Sequence, residues 1–273
     1  MTGQKIHSEI SIPPQRKANA IPTSKPVIKE GTQSIHRAIL LLKAVAKANE
    51  KGFRLFQLAD AVGLPVATAH RILQALVSEG LLEYDPALKS YHIGIGLYSL
   101  GNRATRFALR SKYRSCLENI ARETQDSVYL IVKSGLDALC IDSIESQSTI
   151  RIMTYTIGSR EPLGIGAGSL ALLSFSSDED IKSVLQANRL RYKSNNGTSL
   201  STLKNQINTA RKLGYVFNKG NYMMGINAVG APLFDKSGEV TAAISVASIA
   251  ERIDIVRSKE IAMLIKSELS LIN

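Results

Sequence analysis

The chain has 273 residues, 44% of them hydrophobic and 21% charged, which is enough to bury a core and is about two domains in length. Lys and Arg total 34 against 23 Asp and Glu, and this net charge of +11 favours a polyanionic partner such as nucleic acid. The longest uncharged stretches, 162–177 and 220–234, are shorter than the ~20 residues a membrane span needs and rich in Gly or Ser, so no membrane partner is expected.

The first thirty residues lack the apolar core of a signal peptide. Cys116 and Cys140 make neither a disulfide framework nor a zinc site, and a reducing cytoplasm is the natural setting. Residues 1–31 hold Pro13, Pro14, Pro22 and Pro26 with several lysines and almost no apolar period, the pattern of a flexible tail. Ser34 is expected to cap a first helix, with Ile35, Ala38, Ile39, Leu42, Val45 and Ala46 on one face. A second, short helix is expected over 55–62, ended by Gly63 in the left-handed conformation, and Pro65 starts a third that runs to about Glu79.

Two short helices across a tight Gly-containing turn form a helix-turn-helix. Strand-like residues 81–84 and 91–93, joined by a turn with Lys89 near its tip, then read as a wing. Residues 1–110 carry 15 Lys/Arg and 7 Asp/Glu, a net of +8, whereas 111–273 carry 19 and 16, a net of +3. The basic surplus therefore lies with the helix-turn-helix, as phosphate contact requires.

A long helical stretch is expected from Gly96 to about Glu123, with apolar positions to spare for dimer packing. Beyond it, strands at 127–133, 138–144, 149–155, 227–234 and 239–248 alternate with helices opening at Ser169, Asp180 and Leu200, and a last helix ends the chain. This is an α+β domain of the size of a small-molecule sensor. All four histidines, His7, His36, His70 and His92, precede it, so His-based triads and His-ligated metals are excluded there, and neither catalytic residues nor a cofactor or metal is expected. Asp178-Glu179-Asp180 reads as a helix start after Ser176-Ser177. The physical candidate for a ligand site is 164–169, Gly-Ile-Gly-Ala-Gly-Ser, where glycines permit close approach and free N–H groups at a helix start would take a carboxylate. A tight packing turn is the alternative.

Several motifs in this order resemble the IclR family of bacterial transcriptional regulators. They are the runs 33–38 (QSIHRA), 63–65 (GLP), 68–76 (TAHRILQAL), 91–94 (YHIG), 158–163 (GSREPL), 166–169 (GAGS), 211–215 (RKLGY) and 242–246 (AAISV). The resemblance implies a winged helix-turn-helix over 32–94, a linker helix over 95–118 and a GAF-like α/β effector domain over 119–273. It also implies a homodimer or tetramer on a palindromic double-stranded operator, modulated by a small organic acid, in some members an aromatic one.

The recognition helix would present Val66, Ala67, Thr68, His70 and Arg71, its N-terminal end deepest in the major groove. Arg71 and Thr68 can donate to phosphates, and Arg71 can pair with a guanine. A salt bridge is the alternative for Arg71, and packing on the first helix the alternative for His70. Relatives carry polar residues at 66 and 67, so thymine methyl contacts replace hydrogen bonds here. By analogy Gln33 and Arg37 contact the DNA backbone, and Lys89 and Ser90 serve the wing. The family's ligand positions fall on Gly166, Ala167, Gly168, Ser169, Asn218, Asn227, Ala228, Ser245 and Ala247. Many relatives have acids where this chain reads Asn-Lys-Gly-Asn over 218–221, and their loss favours an anionic effector.

The resulting expectation is a cytoplasmic, homo-oligomeric, ligand-responsive repressor of a catabolic gene set. The competitors are a non-sensing regulator or activator whose C-terminal domain only oligomerises, and an enzyme acting on a small acid.

Overall fold

Amphipathic helices and alternating strands sort the chain into two compact units that divide between Ser99 and Leu100. The structure is a computed structural model describing residues 32–47, 52–102, 105–146, 155–194, 198–220 and 223–272, with the side chains of 102 and 105–107 left aside. The tail over 1–31, most of the strand expected at 149–155, and Arg103, Arg106 and Phe107 of the linker stretch lie outside what is described.

In the first unit α1 (Gln33–Val45), α2 (Leu55–Val62) and α3 (Val66–Ser78) close on one another through Leu41, Val45, Leu58, Ala59, Ala69, Leu73 and Leu76. Strands β1 (Phe53–Arg54), β2 (Leu82–Asp85) and β3 (Ser90–Ile93) form a small antiparallel sheet in the order β1-β3-β2. Gly63 ends α2 at φ 65°, the left-handed conformation expected of it. Ser34 is not the cap of α1, because the helix already begins at Gln33 behind Thr32. The linker stretch is helical as α4 (Ile95–Asn102) and α5 (Thr105–Thr124). The start of α4 is fixed within the first unit, where Gly96 N donates to Gly80 O at 3.0 Å.

The second unit is a six-stranded antiparallel sheet of β4 (Ser127–Ser134), β5 (Asp137–Ile144), β6 (Arg160–Pro162), β7 (Val216–Lys219), β8 (Ile226–Phe234) and β9 (Val240–Ile249), in the order β6-β5-β4-β9-β8-β7. One face carries Val128, Leu130, Val132, Val229, Ile244 and Val246 against α5 and α10 (Ile255–Ser270). The other face receives α6 (Ala167–Ser174), behind which lie α7 (Asp178–Ala187), α8 (Arg189–Ser194) and α9 (Leu200–Leu213). Every residue of α6 is buried, and each of its leucines contributes roughly 1.5–3 kcal/mol by leaving water. The start of α7 is capped as its acidic first turn suggests, with Asp180 N donating to Ser177 Oγ at 3.1 Å.

A bulge in β5 redirects one side chain. Leu130 pairs with Asp142 and Ile131 with Cys140, so Ile141 is the extra residue. The shift turns the fully buried Asp142 towards α5, where Arg114 Nη1 and Arg110 Nε reach its Oδ1 at 2.9 and 3.4 Å. Asp126, also buried, takes Ser248 Oγ at 2.6 Å, Arg252 Nε at 2.9 Å and Arg257 Nη2 at 3.2 Å, tying the entry to β4 to the turn before α10. These pairings set a guanidinium against each buried carboxylate, though among the described residues Asp142 Oδ2 itself meets no hydrogen-bond donor.

Candidate nucleic-acid interface and ligand site

Helix α3 buries Ala69, Leu73 and Leu76 and exposes Ala67, His70, Arg71 and Gln74. Its period of 3.6 places this second set on the side away from the core. No side chain caps its start, so the first-turn N–H groups point outward beside Ala67, a favourable place for a phosphate. Among the described residues Arg71 forms no ion pair, and His70 is exposed and meets Gln74 Nε2 at 3.5 Å across one helical turn. Thr68 is half-buried, and Val66 packs partly into the three-helix core, so these two border the exposed face.

The wing turn is built by Asp85, whose Oδ1 accepts from Ala87 N at 2.7 Å and Leu88 N at 3.1 Å. Lys89 follows at φ 52°, a left-handed conformation that leaves its side chain exposed at the tip. Ser90 corrects the expectation placed on it: the residue is 2% exposed, and its Oγ bonds His92 Nε2 at 2.9 Å. Ser90 and Tyr91 are both buried: Tyr91 enters the three-helix core, and Ser90 lies on the opposite face of β3, where it meets His92. Gln33 is exposed and Arg37 half-buried at the start of α1.

The glycine run of the second unit has a different character from the one its sequence suggests. A Cβ on Gly168 would stand 2.9 Å from Ile131 Cγ1 and 3.1 Å from Ser245 Cβ, and one on Gly230 would run into the carbonyl of Ala167. These glycines let α6 lie directly on the sheet. Gly166 at φ 83° presses on the Tyr155 ring, whose hydroxyl donates to Ile165 O at 3.2 Å. Ser169 is 1% exposed and its Oγ accepts from Gly164 N at 2.8 Å, so that N–H is already taken. The glycines at the start of α6 thus serve its close packing on the sheet, and the Ser169 hydroxyl is spent on Gly164 N, while no side chain caps the helix start at Gly166.

The remaining ligand candidates divide by strand parity. Asn218 pairs with Ala228, and Ala228 with Ala247, a row crossing three strands on the α6 face, and Ser245 lies on the same face opposite Gly230. Asn227 belongs to the opposite face, where its Nδ2 donates to Ile253 O at 2.8 Å, so it is separated from the others. Tyr129 and Tyr155 were not singled out in sequence, yet their rings meet edge-to-face at 5.6 Å on the α6 side. Counting alternate residues along β4 from Ile131 would have found Tyr129; no comparable signal marks Tyr155. Burial pushes the thiols of Cys116 and Cys140 up to about 12, so neither is a thiolate near neutral pH.

Among the described residues no group of three His, Cys, Asp or Glu could hold a metal ion, and no helix is long and apolar enough to cross a membrane. Family models for the "IclR helix-turn-helix domain" and for "Bacterial transcriptional regulator IclR C-terminal" match residues 34–86 and 102–270. The chain is 27% identical over 236 residues to the HTH-type transcriptional repressor AllR of Escherichia coli, covering 84% of this chain and 85% of AllR. It is 30% identical over 200 residues to the HTH-type transcriptional regulator KipR of Bacillus subtilis, covering 72% and 79%. The fold matches an IclR homolog of Microbacterium hydrocarbonoxydans complexed with 4-hydroxybenzoate, with a TM-score of 0.74 at 20% identity over 87% of this chain and 99% of that one.

Proposed function

The chain belongs to the IclR family of bacterial transcriptional regulators, DNA-binding proteins and not enzymes, and from that premise we propose that it is a cytoplasmic, homo-oligomeric repressor of a catabolic gene set, modulated by a small organic acid. Residues 32–94 form its DNA-binding domain, 95–118 its linker and 119–273 its effector domain. The observation that carries the reading is the outward face of α3, where Ala67, His70 and Arg71 stand clear of the core beside an uncapped helix start. In a dimer two such helices enter successive major grooves about 34–36 Å apart. Arg71 contributes a guanine or phosphate contact, Ala67 meets a thymine methyl, and Lys89 meets the backbone across the wing.

For the effector, support comes from the row Asn218–Ala228–Ala247 with Ser245, Tyr129 and Tyr155, a polar and aromatic lining on the α6 face. A complex of 4-hydroxybenzoate with a protein of the same fold makes an aromatic acid the first class to try. The test is anisotropy of labelled fragments from upstream of the chain's own gene and its neighbours, over a salt series, with and without a panel of aromatic and aliphatic acids. Steeply salt-dependent, fragment-specific binding that an acid weakens is the expected result. Specific binding that no acid alters would favour a regulator whose C-terminal unit only assembles, and the absence of specific binding would overturn the DNA reading itself.

A further inference from the structure

Helices α7 and α9 lie side by side behind α6 and leave a groove of about 520 Å³ between them, on the far side of α6 from the sheet. Its floor is apolar, made by Ile181 and Leu185 of α7 and Leu200 and Ile207 of α9. Lys182 lines it from one helix and Lys204 from the other, and neither forms an ion pair among the described residues. The acid in the groove, Asp178, is already neutralised. Arg211 Nη1 reaches its Oδ1 at 2.7 Å, and the same guanidinium donates to Ser174 O at 2.6 Å and Ser176 O at 2.9 Å. That pairing, with the Lys182 ammonium as a smaller cause, holds the Asp178 carboxyl below its ordinary range, so it stays charged and paired to Arg211 in mildly acidic solution.

We propose that this groove is a second small-molecule site, distinct from the α6 face of the sheet, and that it takes a medium-chain carboxylate, with the chain on the apolar floor and the carboxylate between Lys182 and Lys204. The volume lies within the roughly 300–1,000 Å³ of small-ligand sites. An apolar floor under two unpaired cations is complementary to an amphipathic anion, and neither feature alone would select one. Ile181, Leu185 and Ile207 also pack in the cluster that holds α6, so an occupant of the groove rests on the same residues that seat α6.

The proposal is independent of the DNA-binding reading, and calorimetry on the full-length protein tests it with decanoate as the probe and decanol as the uncharged control. Saturable binding of decanoate, weakened at least tenfold in the K182E/K204E double variant while decanol binding changes less than twofold, is the expected outcome. Both lysines are exposed, so the double variant should fold, and its circular dichroism and urea midpoint verify this. Decanoate that binds the double variant as tightly as the parent occupies some other place and overturns the proposal, as does a parent chain that binds decanoate no better than decanol.

Discussion

The two units expose their chemistry in opposite ways. In the first, α3 buries one side and offers the other, so a period of 3.6 separates structural residues (Ala69, Leu73, Leu76) from those that face outward (Ala67, His70, Arg71). In the second, α6 is buried on every side, and no face of it is offered to anything. There the glycines set how close a helix can lie to a sheet, and the candidate ligand residues belong to strands, where a shift of one position moves a side chain to the opposite layer. The comparison teaches that a Gly-rich helix start has no assigned role until the surface beneath it is known.

The contrast breaks most visibly at Gly230. A Gly230→Ala variant places a methyl against the Ala167 carbonyl, and backbone cannot yield as a side chain does. Overpacking of this kind costs about 3 kcal/mol, to be read as a lowered urea midpoint of the second unit. A midpoint equal to the parent's would mean that α6 is not seated on the sheet. In the first unit Arg71→Ala should leave stability unchanged, because the side chain is exposed, and weaken operator binding by about 1–3 kcal/mol at fixed salt. A loss smaller than threefold would remove the outward face of α3 from the reading surface. Asn227→Ala sharpens the parity argument. It gives up the bond to Ile253 O, at about 1–2 kcal/mol of stability, and leaves effector affinity unaltered, whereas Asn218→Ala changes effector affinity. Equal effects of the two changes on effector affinity would contradict the separation of faces.

What was legible in the sequence follows the same division. The three helices and the wing announce themselves by apolar spacing, and Gly63 by its place after a short amphipathic run. Strand β1 is two residues long and β6 three, too short for any period to show, and both exist because a neighbouring strand lends them hydrogen bonds. The run of α6 is apolar throughout, so nothing in it says which side meets the sheet. Asn227 and Ala228 are adjacent letters with a common family role; strand alternation sends them to different layers, and only the packing of α6 says which of the two faces it. The bulge that turns Asp142 to α5 is a property of the β4–β5 pairing and has no signature in β5 alone.

The smallest effect concerns the wing, where two neighbours carry the whole contrast. Lys89 at φ 52° stands at the tip of a turn held by Asp85, with its side chain in water, while Ser90 begins β3 and sends its hydroxyl to His92. If the wing touches the DNA backbone, Lys89→Ala removes one phosphate contact, weakens all sequences alike and lowers the slope of log affinity against log salt by about 0.9. Ser90→Ala leaves that slope where it was, because a buried hydroxyl reaches no phosphate, and it costs about 1 kcal/mol of stability from the lost bond. The two changes are thus distinguished by kind of measurement and not by size. A Ser90→Ala chain with parental stability and a reduced salt slope would show that β3 opens on DNA, and that the burial of Ser90 is a property of the free protein only.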